Sequence, residues 1–169
     1  MEIRALRPSD DRSAFQSGDE ALDSFFRKYA GQNQFRHYLG VTYVAVEDSR
    51  VLGYATVAPG QFDIEDLPAV LRKKIPRYPL PILRLARLAV DQSAQSQGLG
   101  TQLLRFVCRL ATNMADDFGC TGIAVDSKPE AVTFYAKYGF VPFDAIEGNS
   151  EARPRATMMF LPIRAIKRV

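Results

Sequence analysis

The sequence predicts a mixed α/β domain, and three patterns support that fold class. Two β-rich runs, 42–47 and 51–58, are separated only by turn residues at 48–50, which predicts an antiparallel hairpin. The run 82–90 is apolar on both alternating faces, as expected for a central strand covered on both sides. Strand and helix patterns then alternate to the end of the chain. An antiparallel front half is therefore followed by a strand–helix–strand–helix back half, which is the pattern of a mixed α/β domain.

Length and composition predict one folded domain. The chain has 169 residues, 47% of them hydrophobic, and a net charge of +3, which suits a single domain over residues 1–169 and not a disordered tail. No apolar run reaches the roughly 18 residues of a membrane span, and the N-terminus lacks the apolar stretch of a signal peptide. We therefore expect a cytoplasmic protein without membrane contact.

Cysteine and histidine usage removes several enzyme classes. Cys108 and Cys120 form no C-x-x-C pair, and His37 is the only histidine. Zinc hydrolases and thiol proteases need more of these residues than the chain has, so no metal is expected.

The front half is predicted to open with a strand at 3–6 and a helix. Ser17-Gly18-Asp19-Glu20 is a capping-box pattern, and Gly31 is placed to end the helix behind it. The apolar side chains at helical spacing between them are Leu22, Phe25, Phe26 and Tyr29.

The back half is predicted to hold two helices and three strands beyond the central one. An apolar stripe of helical period runs over 103–118, and a buried strand follows at 122–126. Ser127-Lys128-Pro129-Glu130 is a second capping box, and it opens a helix that Gly139 would end. Strands at 140–143 and 157–161 complete the pattern.

The chemistry is expected between the central strand and the long helix, in the segment Gln95-Ser96-Gln97-Gly98-Leu99-Gly100-Thr101. Two glycines let a ligand approach the backbone closely, and the first N–H groups of the helix have no intrahelical partner. Such a helix start binds phosphate oxygens, so a pyrophosphate is the expected ligand. The alternative is a glycine-rich turn that only reverses the chain.

Spacing separates the known phosphate loops. The P-loop pattern G-x-x-x-x-G-K-[ST] is missing, which leaves nucleoside triphosphate hydrolysis without support. A dinucleotide fingerprint needs a third glycine where Leu103 stands, and the loop after Val90 is too long for its tight turn.

A third pattern fits. Gln95-x-x-Gly98-x-Gly100, between a strand and an amphipathic helix, resembles the coenzyme A pyrophosphate motif Q/R-x-x-G-x-G/A of the GNAT superfamily of N-acetyltransferases. The segment 131–140 resembles the A-x-x-F-Y-x-x-x-G-F segment of the same superfamily, one helix and one strand later. The ordered pair is more specific than either motif alone. The resemblance implies a GNAT-like acyl-CoA N-acyltransferase fold, with a central mixed, mostly antiparallel sheet flanked by helices, and acetyl-CoA as the cofactor.

The segment 15–34 and the strand 42–46 resemble the opening of the GNAT toxins of bacterial type II toxin–antitoxin pairs. This resemblance implies that the acceptor is the α-amino group of aminoacyl-tRNA, that a ribbon-helix-helix antitoxin is the protein partner, and that the chain forms a homodimer. Two alternatives stay open: acetylation of a small-molecule amine or a protein N-terminus, and a non-catalytic module that binds coenzyme A.

The resemblance also implies roles for individual residues. Backbone groups of Leu88, Ala89 and Val90 would pair with the pantetheine arm, and the segment 95–101 would hold the pyrophosphate. Gln95 stands where the motif often has arginine, so one positive charge is lost there. Tyr135 would donate a proton to the departing thiolate.

Acid–base chemistry agrees with a tyrosine acting without a base. An α-amine with a pKa of about 7.7–8.0 is roughly a tenth neutral at pH 7, whereas a lysine amine is about a thousandth neutral or less. No Glu or His stands out as a base. A phenol with a pKa near 10 is protonated at neutral pH and can serve as the acid. The alternative for Tyr135 is a core residue that only packs.

Positive charge is concentrated near the central strand. We expect tRNA backbone contact there, although such a run is often only a solvated face. The residues concerned are Arg72, Lys73, Lys74, Arg77, Arg84 and Arg87.

Overall fold

The computed structural model describes residues 1–63, 65, 72–73, 79–142 and 157–167. Within these ranges the chain forms seven strands: β1 Glu2–Ala5, β2 Val41–Glu47, β3 Arg50–Phe62, β4 Leu80–Val90, β5 Gly122–Ser127, β6 Val141–Pro142 and β7 Thr157–Pro162. The α-helices of the same ranges are α1 Glu20–Lys28, α2 Ala30–Phe35, α3 Leu99–Asp117, α4 Val132–Lys137 and α5 Ile163–Lys167, and Gln92–Ala94 and Pro129–Ala131 are single 3₁₀ turns.

The strands form one sheet in the order β1-β2-β3-β4-β5-β7-β6. β1 pairs antiparallel with β2, β2 with β3, β5 with β7, and β6 with β7. β5 begins beside the start of β4, where the N–H and hydroxyl of Thr121 both donate to the carbonyl of Pro81, at 2.8 and 2.9 Å. The predicted mixed, mostly antiparallel sheet with flanking helices is confirmed.

The predicted hairpin is also confirmed. Asp48 and Ser49 connect β2 to β3 with φ angles of 49° and 64°. Two consecutive residues in the left-handed region define a type I′ turn, whose twist matches that of the two strands it joins.

Contacts divide the chain into two compact units. The first comprises Met1–Ala58 and Leu85–Arg109. Its core is aromatic: the rings of Phe26 and Tyr54 are stacked at 4.4 Å, and Phe15 packs edge-on against both. The Tyr54 hydroxyl donates to the carbonyl of Leu22 at 2.7 Å, which satisfies the one polar group of this cluster and ties α1 to β3.

The second unit comprises Pro59–Arg84 and Leu110–Val169. Phe62, Ile82 and Phe160 are central to its core. A side chain at Gly122 would lie 2.5 Å from the Phe160 ring, so glycine is required there for the ring to cover β5. No helix of the described residues is long and apolar enough to cross a bilayer.

Helix starts differ from the predicted ones. Asp19, not Ser17, caps α1 and accepts from the N–H of Leu22. Ser17 instead donates to the buried carboxylate of Asp23 at 2.6 Å. Gly31 lies inside α2 and ends nothing, because α1 already stops at Lys28.

The second predicted capping box is wrong as well. Ser127 is buried as the last residue of β5 and donates its hydroxyl to the carbonyl of Lys128. Lys128 stands at the start of the 3₁₀ turn without a side-chain cap.

Candidate functional site

The loop between β4 and α3 has the open backbone that its sequence predicts. Ser96 and Gly98 adopt φ angles of +64° and +82°, and residues 95–98 are exposed. A methyl group added to Gly98 would meet nothing within 4 Å. The protein therefore leaves space on the side of the loop where a ligand would contact its backbone.

Helix α3 starts directly behind this loop. The N–H of Gln102 donates to the carbonyl of Gly98 at 3.1 Å, which is the first bond of the helical ladder. As a rule, the first N–H groups of an α-helix have no acceptor within the helix, and the positive end of the dipole of this 19-residue helix lies behind the loop. An anion at this point is stabilised by both effects.

The start of α3 is held close to β3. Leu99 and Leu103 are buried, and their methyl groups lie 3.3 and 3.0 Å from where a side chain at Gly53 would begin. Since Gly53 has no side chain, the helix can approach the strand to this distance. The loop before α3 is therefore followed by a helix start that packs closely against β3.

Asp91 anchors the loop, and the sequence analysis did not single it out. It is almost fully buried directly after β4, and its carboxylate accepts from the N–H of Gln16 at 2.9 Å and from the N–H and hydroxyl of Ser93 at 3.0 and 2.6 Å. Arg50 adds an ion pair at 3.3 Å. Burial acts to raise the pKa of Asp91, but the hydrogen bonds from Ser93 and Gln16 and the charge of Arg50 outweigh it and lower the pKa.

Gln95 also holds the loop in place. Its side-chain amide donates to the carbonyl of Ser17 at 2.7 Å and to that of Val90 at 2.9 Å. The amide therefore bridges the end of β4 and the segment before α1. This contact leaves the backbone N–H groups of the loop, and not the Gln95 side chain, as the groups for an anion.

The residues expected beside the pantetheine arm are the last three residues of β4. Ala89 is buried, and Leu88 and Val90 are half-buried. The strand runs straight into the anchored loop, because the N–H of Asp91 still donates to the carbonyl of Leu52 on β3. The segments 88–90 and 95–101 thus form one continuous structure in the first unit, with Thr101 half-buried in the first turn of α3.

Tyr135 lies on α4 in the second unit. Its side chain is 5% exposed, and its ring packs edge-on against Phe134 and Phe140 at 5.2 and 5.3 Å. Burial raises the pKa of its hydroxyl above the ordinary value. No side chain or carbonyl of the described residues forms a hydrogen bond with this hydroxyl. The phenol is therefore fully protonated at neutral pH and keeps its proton available.

The predicted basic residues have different surroundings. Arg72 and Lys73 are exposed, whereas Lys74 and Arg77 lie outside the described residues. Arg84, in the second unit, lies 4.0 Å from the carboxylate of Asp126 and over the Phe62 ring. Arg87, in the first unit, lies 3.6 Å above the ring of Phe25.

Comparisons with known proteins agree with this geometry. The sequence model of the acetyltransferase (GNAT) domain matches residues 39–142, which include the loop and Tyr135. A protein of Mycobacterium tuberculosis named tRNA-acetylating toxin is 36% identical over 140 residues, covering 81% of this chain and 82% of that protein.

Two solved structures share the fold over 99% of this chain. AtaT complexed with acetyl-methionyl-tRNAfMet has a TM-score of 0.83 at 28% identity, with 97% of that chain covered. A tyrosine-to-phenylalanine mutant of the toxin AtaT, bound to the C-terminus of the antitoxin AtaR and acetyl-CoA, has a TM-score of 0.78 at 25% identity, with 96% covered.

Proposed function

The chain belongs to the GNAT family of acetyltransferases, and from this premise we propose that it transfers acetyl from acetyl-CoA to the α-amino group of an aminoacyl-tRNA. Membership confirms three predictions: the family that the two motifs indicated, its fold, and its N-acetyltransferase activity. The proposed acceptor is supported by the relative named tRNA-acetylating toxin and by the similarity to AtaT, which was solved with acetyl-methionyl-tRNAfMet. In a cell this substrate would place the enzyme in the cytoplasm and make it a toxin that blocks translation.

The observation that carries the proposal is the open backbone at Gly98, directly before α3. No protein atom lies within 4 Å of a Cβ added at Gly98, which leaves its backbone open to a pyrophosphate, and the helix start would supply N–H donors for it. Residues 95–101 would bind the pyrophosphate of acetyl-CoA through their backbone. Leu88, Ala89 and Val90 would hold the pantetheine arm as though it were an added strand.

The reaction needs a neutral amine, an activated carbonyl and a proton for the leaving sulfur. Acetyl-CoA supplies the activated thioester carbonyl. An α-amine has enough neutral form at pH 7 to attack without a base from the protein. The new C–N bond replaces the C–S bond. Tyr135 would donate its hydroxyl proton to the sulfur, and it would regain the proton that the amine loses.

The raised pKa of Tyr135 has a cost in this role. A phenol with an ordinary pKa near 10 is matched to an alkyl thiolate, and burial shifts it away from that match. Because the same shift keeps the proton on the oxygen at every physiological pH, Tyr135 would always be in the competent form.

Contacts with the RNA backbone would come from basic residues that precede β4 in the sequence or belong to it. Arg72 and Lys73 are exposed and free to approach phosphates, and Lys74, Arg77, Arg84 and Arg87 complete the proposed set. Phosphate contacts of this kind hold an RNA in place without reading its sequence.

Two protein partners belong to the same proposal. A ribbon-helix-helix antitoxin would neutralise the enzyme, which is supported by the similarity to AtaT, solved with the C-terminus of the antitoxin AtaR. A second copy of the chain would form a homodimer, the commonest assembly of soluble proteins.

Transfer of radiolabelled acetyl tests the proposal directly. The protein is incubated with labelled acetyl-CoA and with charged total tRNA, deacylated tRNA or polyamines in parallel. Label on charged tRNA alone is expected. Label on polyamines alone would replace the proposed acceptor with a small amine. Label on neither, with coenzyme binding intact, would indicate a binding module.

A further inference from the structure

An exposed surface outside the acetyl-CoA site combines aromatic rings with positive charge. It is formed by residues 28–39, from the end of α1 through α2 to the turn that follows, and is called the α2 surface below. Four large apolar side chains stand out from it: Tyr29, Phe35, Tyr38 and Leu39 are 48%, 39%, 84% and 62% exposed. Rings at this exposure cost hydrophobic free energy unless something covers them.

The α2 surface is held rigidly in the first unit. The side chain of Gln34 accepts from the N–H of Thr42 at 2.8 Å and donates to the carbonyl of Leu6, so α2 is tied to β2 and to the residue directly after β1. In the turn, the N–H of Leu39 donates to the carbonyl of Asn33 at 3.0 Å. Tyr38 itself has a φ of +55°, a left-handed conformation that a tyrosine rarely adopts. The fold thus holds the most exposed ring among the described residues at a cost in backbone strain.

The charge of this region is of one sign. Residues 24–46 contain no aspartate or glutamate. Lys28, Arg36 and His37 are exposed, and neither Lys28 nor Arg36 forms an ion pair with any residue that the structure describes. A symmetric pairing of this segment with the same segment of a second copy would bring like charges together, because the segment itself contains no acid. A molecule that covers the α2 surface is therefore expected to be negatively charged.

A single-stranded nucleic acid has both properties that the α2 surface requires. Its phosphates are negative, and its unpaired bases stack on exposed aromatic rings. We propose that the α2 surface binds unpaired nucleotides of the acceptor RNA, with Tyr38 stacked on a base and Lys28 and Arg36 beside phosphates. This inference rests on the proposed function, because it names the surface by which the aminoacyl-tRNA is held.

Binding of a fluorescein-labelled eight-nucleotide single-stranded RNA, followed by anisotropy, tests the inference without any acetyl transfer. Tyr38→Asn removes the ring and keeps a residue that tolerates the left-handed backbone. We expect its affinity to fall about 5- to 100-fold, as for the loss of one stacked base. Tyr38→Phe should stay within about twofold of the wild type. Arg36→Gln should flatten the dependence of log affinity on log salt by about 0.7.

Phe118→Asn is the matched control, because Phe118 is 75% exposed on the second unit and lies far along the chain from α2. It should bind the RNA as the wild type does. All variants should acetylate a small α-amino ester at the wild-type rate, since none changes the acetyl-CoA loop or Tyr135.

Three results would overturn the inference: no binding of the single strand by the wild type, equal affinity of Tyr38→Asn and wild type, or tighter binding of a duplex of the same sequence. A change in sedimentation of Tyr38→Asn without a change in RNA affinity would identify a protein interface instead. Failure of the proposed function is separate, because it appears as wild-type protein that binds RNA and does not acetylate charged tRNA.

Discussion

Tyr135 combines a buried ring with a hydroxyl that has no hydrogen-bond partner among the described residues, and these two properties determine what Tyr135→Phe should do. Since the ring makes the packing contacts with Phe134 and Phe140, the variant should keep its melting temperature and its affinity for acetyl-CoA. Loss of the proton donor should lower kcat by about 10²–10⁴-fold. Steady-state acetylation of charged tRNA measures this.

Tyr138→Phe makes the same chemical change three residues further along the chain and serves as the control. Its hydroxyl has no proposed role in proton transfer, so its kcat should stay near that of the wild type. Near wild-type turnover of Tyr135→Phe would return Tyr135 to the role of a core residue.

Individual cap residues were the least predictable feature at this scale. Ser17 and Asp19 both suit a helix start, and only the folded chain shows that Ser17 is drawn away by the buried Asp23. Ser127 was mistaken for a cap because its burial at the end of β5 is a tertiary property that the local pattern does not contain. Gly139, by contrast, was predictable, since a φ of +95° after α4 requires glycine.

At the scale of elements, the loop 95–101 between β4 and α3, proposed to bind the pyrophosphate, can be separated into its backbone and its anchors. Gly98→Ala adds a methyl group that meets nothing in the protein, so its cost in stability is the positive φ alone, about 1–2 kcal/mol. The same methyl group would occupy the space proposed for the pyrophosphate. We expect the affinity for acetyl-CoA, measured by calorimetry, to fall at least tenfold.

Gly139→Ala provides the matched comparison. Its φ is +95° and an added methyl would lie 3.4 Å from Leu161, so its loss of stability should be similar. Its affinity for acetyl-CoA should not change. Equal affinities of the two variants would contradict the proposed role of the loop backbone.

Asp91 makes the anchoring of the loop depend on pH. A carboxylate whose folded pKa lies below its unfolded value of about 3.9 stabilises the fold above that value, and this contribution disappears as the pH falls through the folded pKa. Asp91→Asn should therefore lower the free energy of unfolding by about 1–3 kcal/mol at pH 7, because it disturbs a buried acceptor. The difference from wild type should shrink below pH 4. Urea unfolding across pH 3–7 measures it.

Asp91 contacts no substrate in the proposal and acts as a positioning residue for the loop. Asp91→Asn should raise the KM for acetyl-CoA and leave kcat at saturation within a few-fold of the wild type. An equal fall of kcat with unchanged KM would assign Asp91 to the chemical step instead.

The strand–loop–helix pattern was predictable from sequence, and the anchoring of the loop by Asp91 was not, for a physical reason. Strand, glycines and helix are neighbours in the chain, so their pattern is local. Besides the nearby Ser93, the groups that bind Asp91 come from Gln16 and Arg50, which are 75 and 41 residues away. The only local sign of this anchoring was the spacing of Asp91 and Ser93 after the strand, and an aspartate two residues before a serine is a common turn pattern.

At the scale of the whole molecule, the family resemblance predicted a mixed, mostly antiparallel sheet, and the order of its strands comes from the structure alone. Hairpins such as β2–β3 follow from a two-residue turn. The insertion of β7 between β5 and β6 joins residues that are far apart in sequence, and no local signal encodes it. The mixed α/β class was predictable because the order of helix and strand patterns is itself local.

The sequence predicts one domain over 1–169. Because the two compact units share strands, we also expect them to unfold together. β3 and β4 each continue from one unit into the other, with boundaries at residues 58/59 and 84/85. Loss of either unit would therefore break strands of both. We expect a single calorimetric transition with an enthalpy of about 120 kcal/mol and a calorimetric to van't Hoff ratio near one.

Single tryptophans make this test specific for each unit, since the chain contains none. Tyr43→Trp places the probe on β2, against Phe106, and Phe134→Trp places it on α4, beside Tyr135. Because both side chains are half-buried, each fluorescence signal should change when its own surroundings unfold. The two urea midpoints should coincide if the strands couple the units. Midpoints that differ by more than their errors, each with a smaller slope than that of the whole chain, would mean that the units unfold separately and that the chain is two domains.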